Sequence, residues 1–219
     1  MRPLISLLIA CATAFAAPAL LTHTHAGGTL PLTTSGIDTT GATLLVVTLN
    51  GYGFSSPAST TVSDSKGNTW IALTPETDSP GTTVVNTVMF YAWAALNTGS
   101  GHTVTLSATN NFVGATFSAF GGTKVSANPL GATQNGALTL SSVTTLQAGS
   151  ITPSQDGALI IANLGTGDGS ASFTIDSGFS VIDQVAWVSG SNESNASAYL
   201  IQTHAAAVNG LVPIFETNS

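Results

Sequence analysis

The chain has 219 residues and very little charge: Asp, Glu, Lys and Arg make up 6% of it, against about 25% in a typical soluble domain. Ten acidic residues stand against three basic ones, which argues against binding to nucleic acid or to anionic lipid surfaces. The single cysteine, Cys11, excludes an internal disulfide framework and a site built from several thiolates.

The N-terminal segment has the pattern of a secretory signal peptide. Arg2 precedes an apolar run that ends in small residues, and we assign residues 1–26 to this leader. Three alanines offer cleavage points: Ala16, Ala19 and Ala26. A permanent membrane anchor is one alternative, because about 20 apolar residues can span a bilayer. Lipidation is another, because Leu8-Ile9-Ala10-Cys11 resembles a bacterial lipobox. After cleavage the protein has no membrane segment and lies outside the cell or on its surface.

Residues 27–36 follow as a short arm in which apolar residues partly alternate. Such an arm can add as a strand to the open sheet edge of a second copy. Docking on its own sandwich is the alternative. The residues predicted to make the assembly contacts are Gly27, Gly28, Leu30 and Leu32.

Residues 37–219 read as a single all-β domain. Short runs rich in Val, Ile, Thr and Phe alternate with turn residues, and no stretch has a helical pattern. About ten strands of this kind predict a two-sheet antiparallel β-sandwich, in jelly-roll order, with a barrel as the alternative. The predicted strands are Ala42–Leu49, Thr69–Leu73, Thr82–Ala94, His102–Ala108, Phe112–Phe120, Ser142–Ile151, Ala158–Leu164, Ser180–Val188, Ala196–Thr203 and Leu211–Glu216.

Two segments of the chain resemble each other. The segment from Asp38 to Val47 and the segment from Asp156 to Ile161 each combine an acidic turn, a Gly-Ala pair and an apolar strand. We interpret them as equivalent turn–strand units of a pseudo-symmetric sandwich, since an Asp before a turn bonds its own backbone. A repeated ligand-binding unit is the alternative.

The segment Asp64-Ser65-Lys66-Gly67-Asn68-Thr69-Trp70 is the sharpest local signal. Its turn residues predict a tight β-hairpin with Gly67 at positive φ. Replacing Gly67 with Val should then cost about 1–3 kcal/mol, and Asp64→Asn should be nearly neutral. A calcium loop is the alternative, but the spaced acidic ligands of such loops are absent.

The residues that could support catalysis are few. Glu76 and Asp78 form an E-x-D pair, but Gly81 stands where the glucanase pattern needs a second Glu. His102 and His204 are the histidines outside the leader region, and no G-x-S-x-G sequence supplies a nucleophile. We therefore expect no enzymatic activity, no cofactor and no metal site.

Neutral glycans bind to aromatic rings and hydroxyl or amide groups, which need little charge. The weak candidates for such contacts are Tyr52, Trp70 and Asp168. A glycan-binding, lectin-like module is therefore the second hypothesis, and a glycoside hydrolase is the third. For any one aromatic residue, packing in the sandwich core is the alternative.

Several motifs resemble a known group of proteins. In chain order they include Val62-Ser63-Asp64-Ser65-Lys66-Gly67-Asn68-Thr69-Trp70, Gly99-Ser100-Gly101-His102-Thr103 and Ala198-Tyr199-Leu200-Ile201-Gln202-Thr203. The set resembles poorly characterised jelly-roll-like β-sandwich domains of secreted bacterial and phage-associated proteins. The resemblance implies a fold and no catalytic residues. The sequence thus predicts a secreted structural or adhesive module that associates with itself or with another subunit of a surface, fibre or virion assembly.

Overall fold

The computed structural model describes residues 17–52, 60–78, 85–108, 112–134, 150–166, 173–175, 178–187, 193–209 and 212–215. These residues form sixteen strands and no helix, so the fold is all-β, as the alternating pattern predicts. The strands are β1 (Ala19–Thr29), β2 (Leu32–Thr33), β3 (Leu44–Tyr52), β4 (Thr61–Asp64), β5 (Ile71–Ala72), β6 (Glu76–Asp78), β7 (Val85–Trp93), β8 (Val104–Ser107), β9 (Phe112–Gly121), β10 (Leu130–Gln134), β11 (Ser150–Ile151), β12 (Leu159–Thr166), β13 (Ser180–Trp187), β14 (Glu193–Ile201), β15 (Val208–Asn209) and β16 (Val212–Phe215).

Two antiparallel sheets form the centre of the molecule. The first sheet has the strand order β1-β9-β3-β7-β5, with β6 also paired to β7, and the second has the order β10-β16-β12-β14-β13. The predicted strands overlap strands of the structure, except that most of Ser142–Ile151 lies outside the described residues. Within the described part of the chain, no helix is long and apolar enough to span a membrane.

The two sheets pack face to face, and a smaller sheet covers each outer surface. Strand β3 shows why: Leu44 and Val46 pack in a core shared with the second sheet, whereas Leu45, Val47 and Leu49 pack on the other side. That other side is covered by the sheet β2-β8-β4. The sheet β11-β15 lies beside a third core that includes Ile151 and Ile160. A strand that is apolar on both faces is therefore explained by burial on both faces.

The two halves of the chain repeat one strand order. Strands β1, β9, β3 and β7 stand in the same order as β10, β16, β12 and β14, and the pair β2-β8 has its counterpart in β11-β15. Strands β3 and β12, which carry the two similar segments of the sequence, are the central strands of their sheets. Equivalent register positions hold similar residues: Leu44 and Leu159, Tyr91 and Tyr199, Phe120 and Phe215.

This repeat agrees with the pseudo-symmetric sandwich inferred from the similar segments. A jelly roll spanning the whole chain is not confirmed, because each main sheet is built from its own half of the sequence. The halves are nevertheless joined by one core, to which Tyr91 and Phe120 of the first sheet and Ile161 and Ile182 of the second contribute.

The N-terminal strand contains residues that the sequence analysis divided between the leader and the arm. Strand β1 pairs with β9 from Ala19 to Thr29, and Gly27 stands opposite Gly114. The next residues also pack on the same chain: Leu30 is 8% exposed in the core, and Leu32 pairs with Leu106 of β8. The structure thus places Gly27, Gly28, Leu30 and Leu32 on the chain's own sandwich, which is the alternative that the sequence left open.

Candidate functional site

The turn between Asp64 and Trp70 connects two different sheets. Strand β4, which ends at Asp64, pairs with β8, whereas β5, which follows Trp70, pairs with β7. The predicted hairpin is therefore wrong, although the turn itself is present. Gly67 has a φ of 77°, and its N–H lies 3.3 Å from the carbonyl oxygen of Asp64. The local residues determine the tight turn, but the sheets on either side of it depend on distant partners.

The carboxylate of Asp64 organises this turn. Its Oδ1 accepts hydrogen bonds from the backbone N–H groups of Lys66 at 2.7 Å and Asn68 at 3.3 Å. Its Oδ2 accepts a hydrogen bond of 2.6 Å from the indole Nε1 of Trp70. The side chain of Asp64 has no exposed surface, so these donors replace the water that a free carboxylate would bind.

His102 lies beside this carboxylate and is fully buried. Its Nδ1 is 2.8 Å from the hydroxyl oxygen of Thr39, and its Nε2 is 3.3 Å from Asp64 Oδ1, without the alignment of a hydrogen bond. The imidazole ring also packs edge-on against Phe117, with ring centroids 5.3 Å apart. A hydroxyl, an imidazole and a carboxylate therefore stand in the order that nucleophilic triads use.

Burial and hydrogen bonds shift the pKa values of both ionisable groups. Burial raises the pKa of the Asp64 carboxyl, but the hydrogen bonds from Trp70, Lys66 and Asn68 outweigh it and hold that pKa below its ordinary value. Burial lowers the pKa of His102, and the nearby charge of Asp64 offsets this only in part. The pair therefore consists of a carboxylate and a neutral imidazole at neutral pH.

The arrangement acts as a lock between three segments of the chain. Thr39, Asp64 and His102 come from different segments, and the Thr39 hydroxyl also accepts the N–H of Gly99 at 3.2 Å. Asn68 extends the contact, since its Nδ2 donates to the carbonyl oxygen of Asn97 at 3.0 Å. We call this set of residues the Asp64 lock. No surface of the Thr39 or His102 side chain reaches solvent, so the lock holds loops together and offers no access to a substrate.

The lock predicts that acid lowers the stability of the fold. The pKa of His102 is lower in the folded chain than its unfolded value of 6.5, so the unfolded chain binds more protons below that pH. The contribution of His102 to the free energy of unfolding is fully present above pH 6.5. It is lost as the pH falls through the pKa that His102 has in the folded chain. The pKa of Asp64 is also lowered in the folded chain, so a further loss of stability begins as the pH falls below 3.8. We expect urea unfolding to give a smaller free energy at pH 5 than at pH 7.5.

Two variants identify the source of this pH dependence. His102→Asn should reduce the difference between the two pH values, although it lowers stability at both. His204→Asn should leave the difference unchanged, because the side chain of His204 is 85% exposed. An unchanged difference in His102→Asn would show that another group is responsible.

A second cluster joins the edges of the two main sheets. The Nδ1 atoms of His23 and His25 on β1 lie 3.0 Å and 2.9 Å from the same oxygen, Oδ2 of Asp183 on β13. Residues two apart on a strand share one face, so both rings reach across to the second sheet. The two rings therefore share one carboxylate oxygen. Among the described residues, no group of three or more His, Cys, Asp or Glu is arranged to hold a metal ion.

Polar side chains also cross between the sheets inside the molecule. The hydroxyl groups of Thr48 and Ser197 bond each other. Asn50 donates to the carbonyl oxygen of Ser194 at 3.0 Å, and Asn163 donates to that of Leu49 at 3.2 Å. All of these side chains are buried, so one part of the interface is apolar and the other is hydrogen-bonded.

Of the three residues proposed for glycan contacts, Trp70 is the one whose side chain lies in the described part of the structure. The indole of Trp70 is held by Asp64 and packs against Phe117, with ring centroids 6.3 Å apart. Tyr52 ends β3, and its side chain lies outside the described residues, as does the whole of Asp168. No sequence pattern pointed to Thr39 or to the pairing of His102 with Asp64. The phase of His102 with Val104 and Leu106 indicated its burial but not its partners.

Comparisons with known proteins give no relative. No protein-family model matches the chain, and neither a curated protein nor a solved structure matches it. The resemblance to secreted bacterial and phage-associated domains therefore stays a prediction from motifs.

Proposed function

We propose that this chain is a secreted, non-enzymatic structural or adhesive module that associates with itself in an extracellular assembly. The observation that carries the proposal is the use of its scarce ionisable groups. Asp64 and Asp183 join loops and sheets of the fold, and Asp38 accepts the N–H of Thr40 within its own turn. These carboxylates thus hold turns, loops and sheets of the fold in place.

This use of charge favours a rigid module over a catalyst. A hydrolytic site needs an acid, a base or a nucleophile that a substrate can reach. The hydroxyl, imidazole and carboxylate of the Asp64 lock instead lie under the surface and connect three loops. With few ions left for the surface, Ser, Thr, Asn and Gly keep the protein hydrated.

The state of association of the purified full chain tests the proposal. We expect light scattering to show a mass that grows with protein concentration, and electron microscopy to show ordered multimers. A protein that stays monomeric at millimolar concentration would contradict the assembly. Turnover of a polysaccharide by the same preparation, lost in Glu76→Gln, would favour the hydrolase hypothesis instead.

Export of the protein has its own prediction. Strand β1 begins at Ala19 and pairs along its length with β9, so cleavage after Ala26 would remove most of an integral strand. We expect cleavage after Ala16, or after Ala19 at the latest. The intact mass of the protein secreted from a bacterial host measures this. A mature protein that begins at Gly27 would contradict it, and a diacylglyceryl group on Cys11 would support the lipoprotein alternative.

A further inference from the structure

We propose that β1 is the surface through which a second copy of this chain adds, by antiparallel β1–β1 pairing about a two-fold axis. The first sheet then continues from one copy into the next. This interface rests on the proposed function and names its contact surface, and the experiments below distinguish a failure of the interface from a failure of the assembly.

Strand β1 is a long edge strand. It is the first strand in the order β1-β9-β3-β7-β5, and within the described residues β9 is the strand that pairs with it. Its eleven residues therefore have one side paired and one side turned away from the sheet. Backbone N–H and C=O groups on such a side form a template for another strand.

The other described edges of the two main sheets are less suited to pairing. Strand β5 has two residues, and β6 has three, of which Glu76 and Asp78 are acidic. Strand β10 has an irregular register, and β13 carries Asp183 and a register shift next to it. Short length, charge and bulges are the means by which proteins protect sheet edges. By contrast, β1 contains no Asp, Glu, Lys or Arg.

The bulge in β1 limits the pairing to one segment. The register with β9 shifts between Leu20 and Thr22, and from Thr22 to Thr29 it is continuous. Opposed residues of an antiparallel pair share one face of the sheet, so a two-fold axis must pass between one residue and its own symmetry mate. With the axis at Ala26, His23 lies opposite Thr29, Thr24 opposite Gly28 and His25 opposite Gly27 of the second copy, so no histidine faces another.

Exposed apolar side chains occur on the same side of the molecule. Strand β1 packs against β13, so the edges of the two main sheets lie together. Leu21 of β1 is 45% exposed and Val181 of β13 is 41% exposed, and both stand at the register shifts of their strands. A second copy on this edge would remove this apolar surface from water, which favours association. A neutral edge beside apolar side chains matches a second neutral edge better than a charged partner.

A cysteine at the axis tests the register. In a Cys11→Ser background, Ala26→Cys should form a covalent dimer under mild oxidation, because position 26 faces its own copy across the interface. Thr24→Cys is the matched control and should give at least tenfold less covalent dimer, since position 24 faces position 28 and lies four residues from its own copy. Circular dichroism confirms that the variants fold.

A charge on the strand gives the second measurement. Thr24→Lys should shift the concentration for half-association at least tenfold upward in light scattering, whereas Thr152→Lys, on an exposed residue outside the strands, should not. Multimers that persist without cross-linking and tolerate Thr24→Lys would overturn the β1 interface and leave the proposed assembly in place. A chain that stays monomeric overturns both.

Discussion

Replacing Asp64 with alanine is expected to lower the free energy of unfolding by about 3–5 kcal/mol. The carboxylate accepts hydrogen bonds from Lys66, Asn68 and Trp70, and a buried donor that loses its acceptor costs about 1–3 kcal/mol. Urea unfolding at pH 7.5 measures the change.

Asp64→Asn should also destabilise the fold, although less than alanine does. The Asn amide keeps one acceptor oxygen. Its NH₂ group, however, points at N–H donors that the second carboxylate oxygen of Asp64 accepts in the native fold. The structure thus revises the nearly neutral effect that the sequence suggested for this substitution.

Matched variants separate the Asp64 lock from an ordinary turn. Asp38 also accepts a backbone N–H, that of Thr40 at 3.0 Å, but its carboxylate is exposed. Asp38→Ala should therefore destabilise the fold far less than Asp64→Ala does. Calcium should not change the melting temperature of any of these proteins. A calcium-dependent rise that Asp64→Ala abolishes would instead establish a metal loop.

Replacing Gly165 with alanine is expected to cost about 3 kcal/mol or to prevent folding, because inserting atoms into a packed interior forces the surroundings apart. A β-carbon at this position of β12 would overlap the side chain of Asn50, which belongs to the facing sheet. Asn50 cannot move aside easily, since it donates to the carbonyl oxygen of Ser194 and accepts the hydroxyl of Thr87 at 3.1 Å.

Gly121 supplies the control for this substitution. A β-carbon there would meet its nearest atom, Cδ1 of Leu21, at 3.4 Å, so Gly121→Ala should change stability by less than about 1 kcal/mol. Combining Gly165→Ala with Asn50→Ala should cost less than the sum of the two single changes, because the second removes the side chain that the first contacts. Equal effects of Gly165→Ala and Gly121→Ala would contradict the close approach of the two sheets.

The sequence by itself located ten of the sixteen strands in the described residues, and it missed β1, β2, β4, β6, β10 and β15. The predicted strand Phe112–Phe120 matches β9 (Phe112–Gly121), and Ser180–Val188 matches β13 (Ser180–Trp187), because alternation of apolar and polar residues is a local signal. The positive φ of Gly67 and the equivalence of the two similar segments were also readable, since each depends on a few neighbouring residues. The apolar N-terminal run suits both a leader and a strand. Because it was assigned to a leader that ends at Ala26, the prediction divided β1 at that residue.

The tertiary structure decided which strands and side chains meet. Nothing near Asp64 indicates that β4 pairs with β8 instead of forming a hairpin with β5, because pairing depends on which partners bury the same faces. Thr39 and His102 are 63 residues apart, and their contact exists only after the first half has folded. The same holds for Gly165, whose missing side chain is explained by Asn50 on the other sheet. Local periodicity indicates many of the strands, whereas burial of distant surfaces against each other determines the contacts between them.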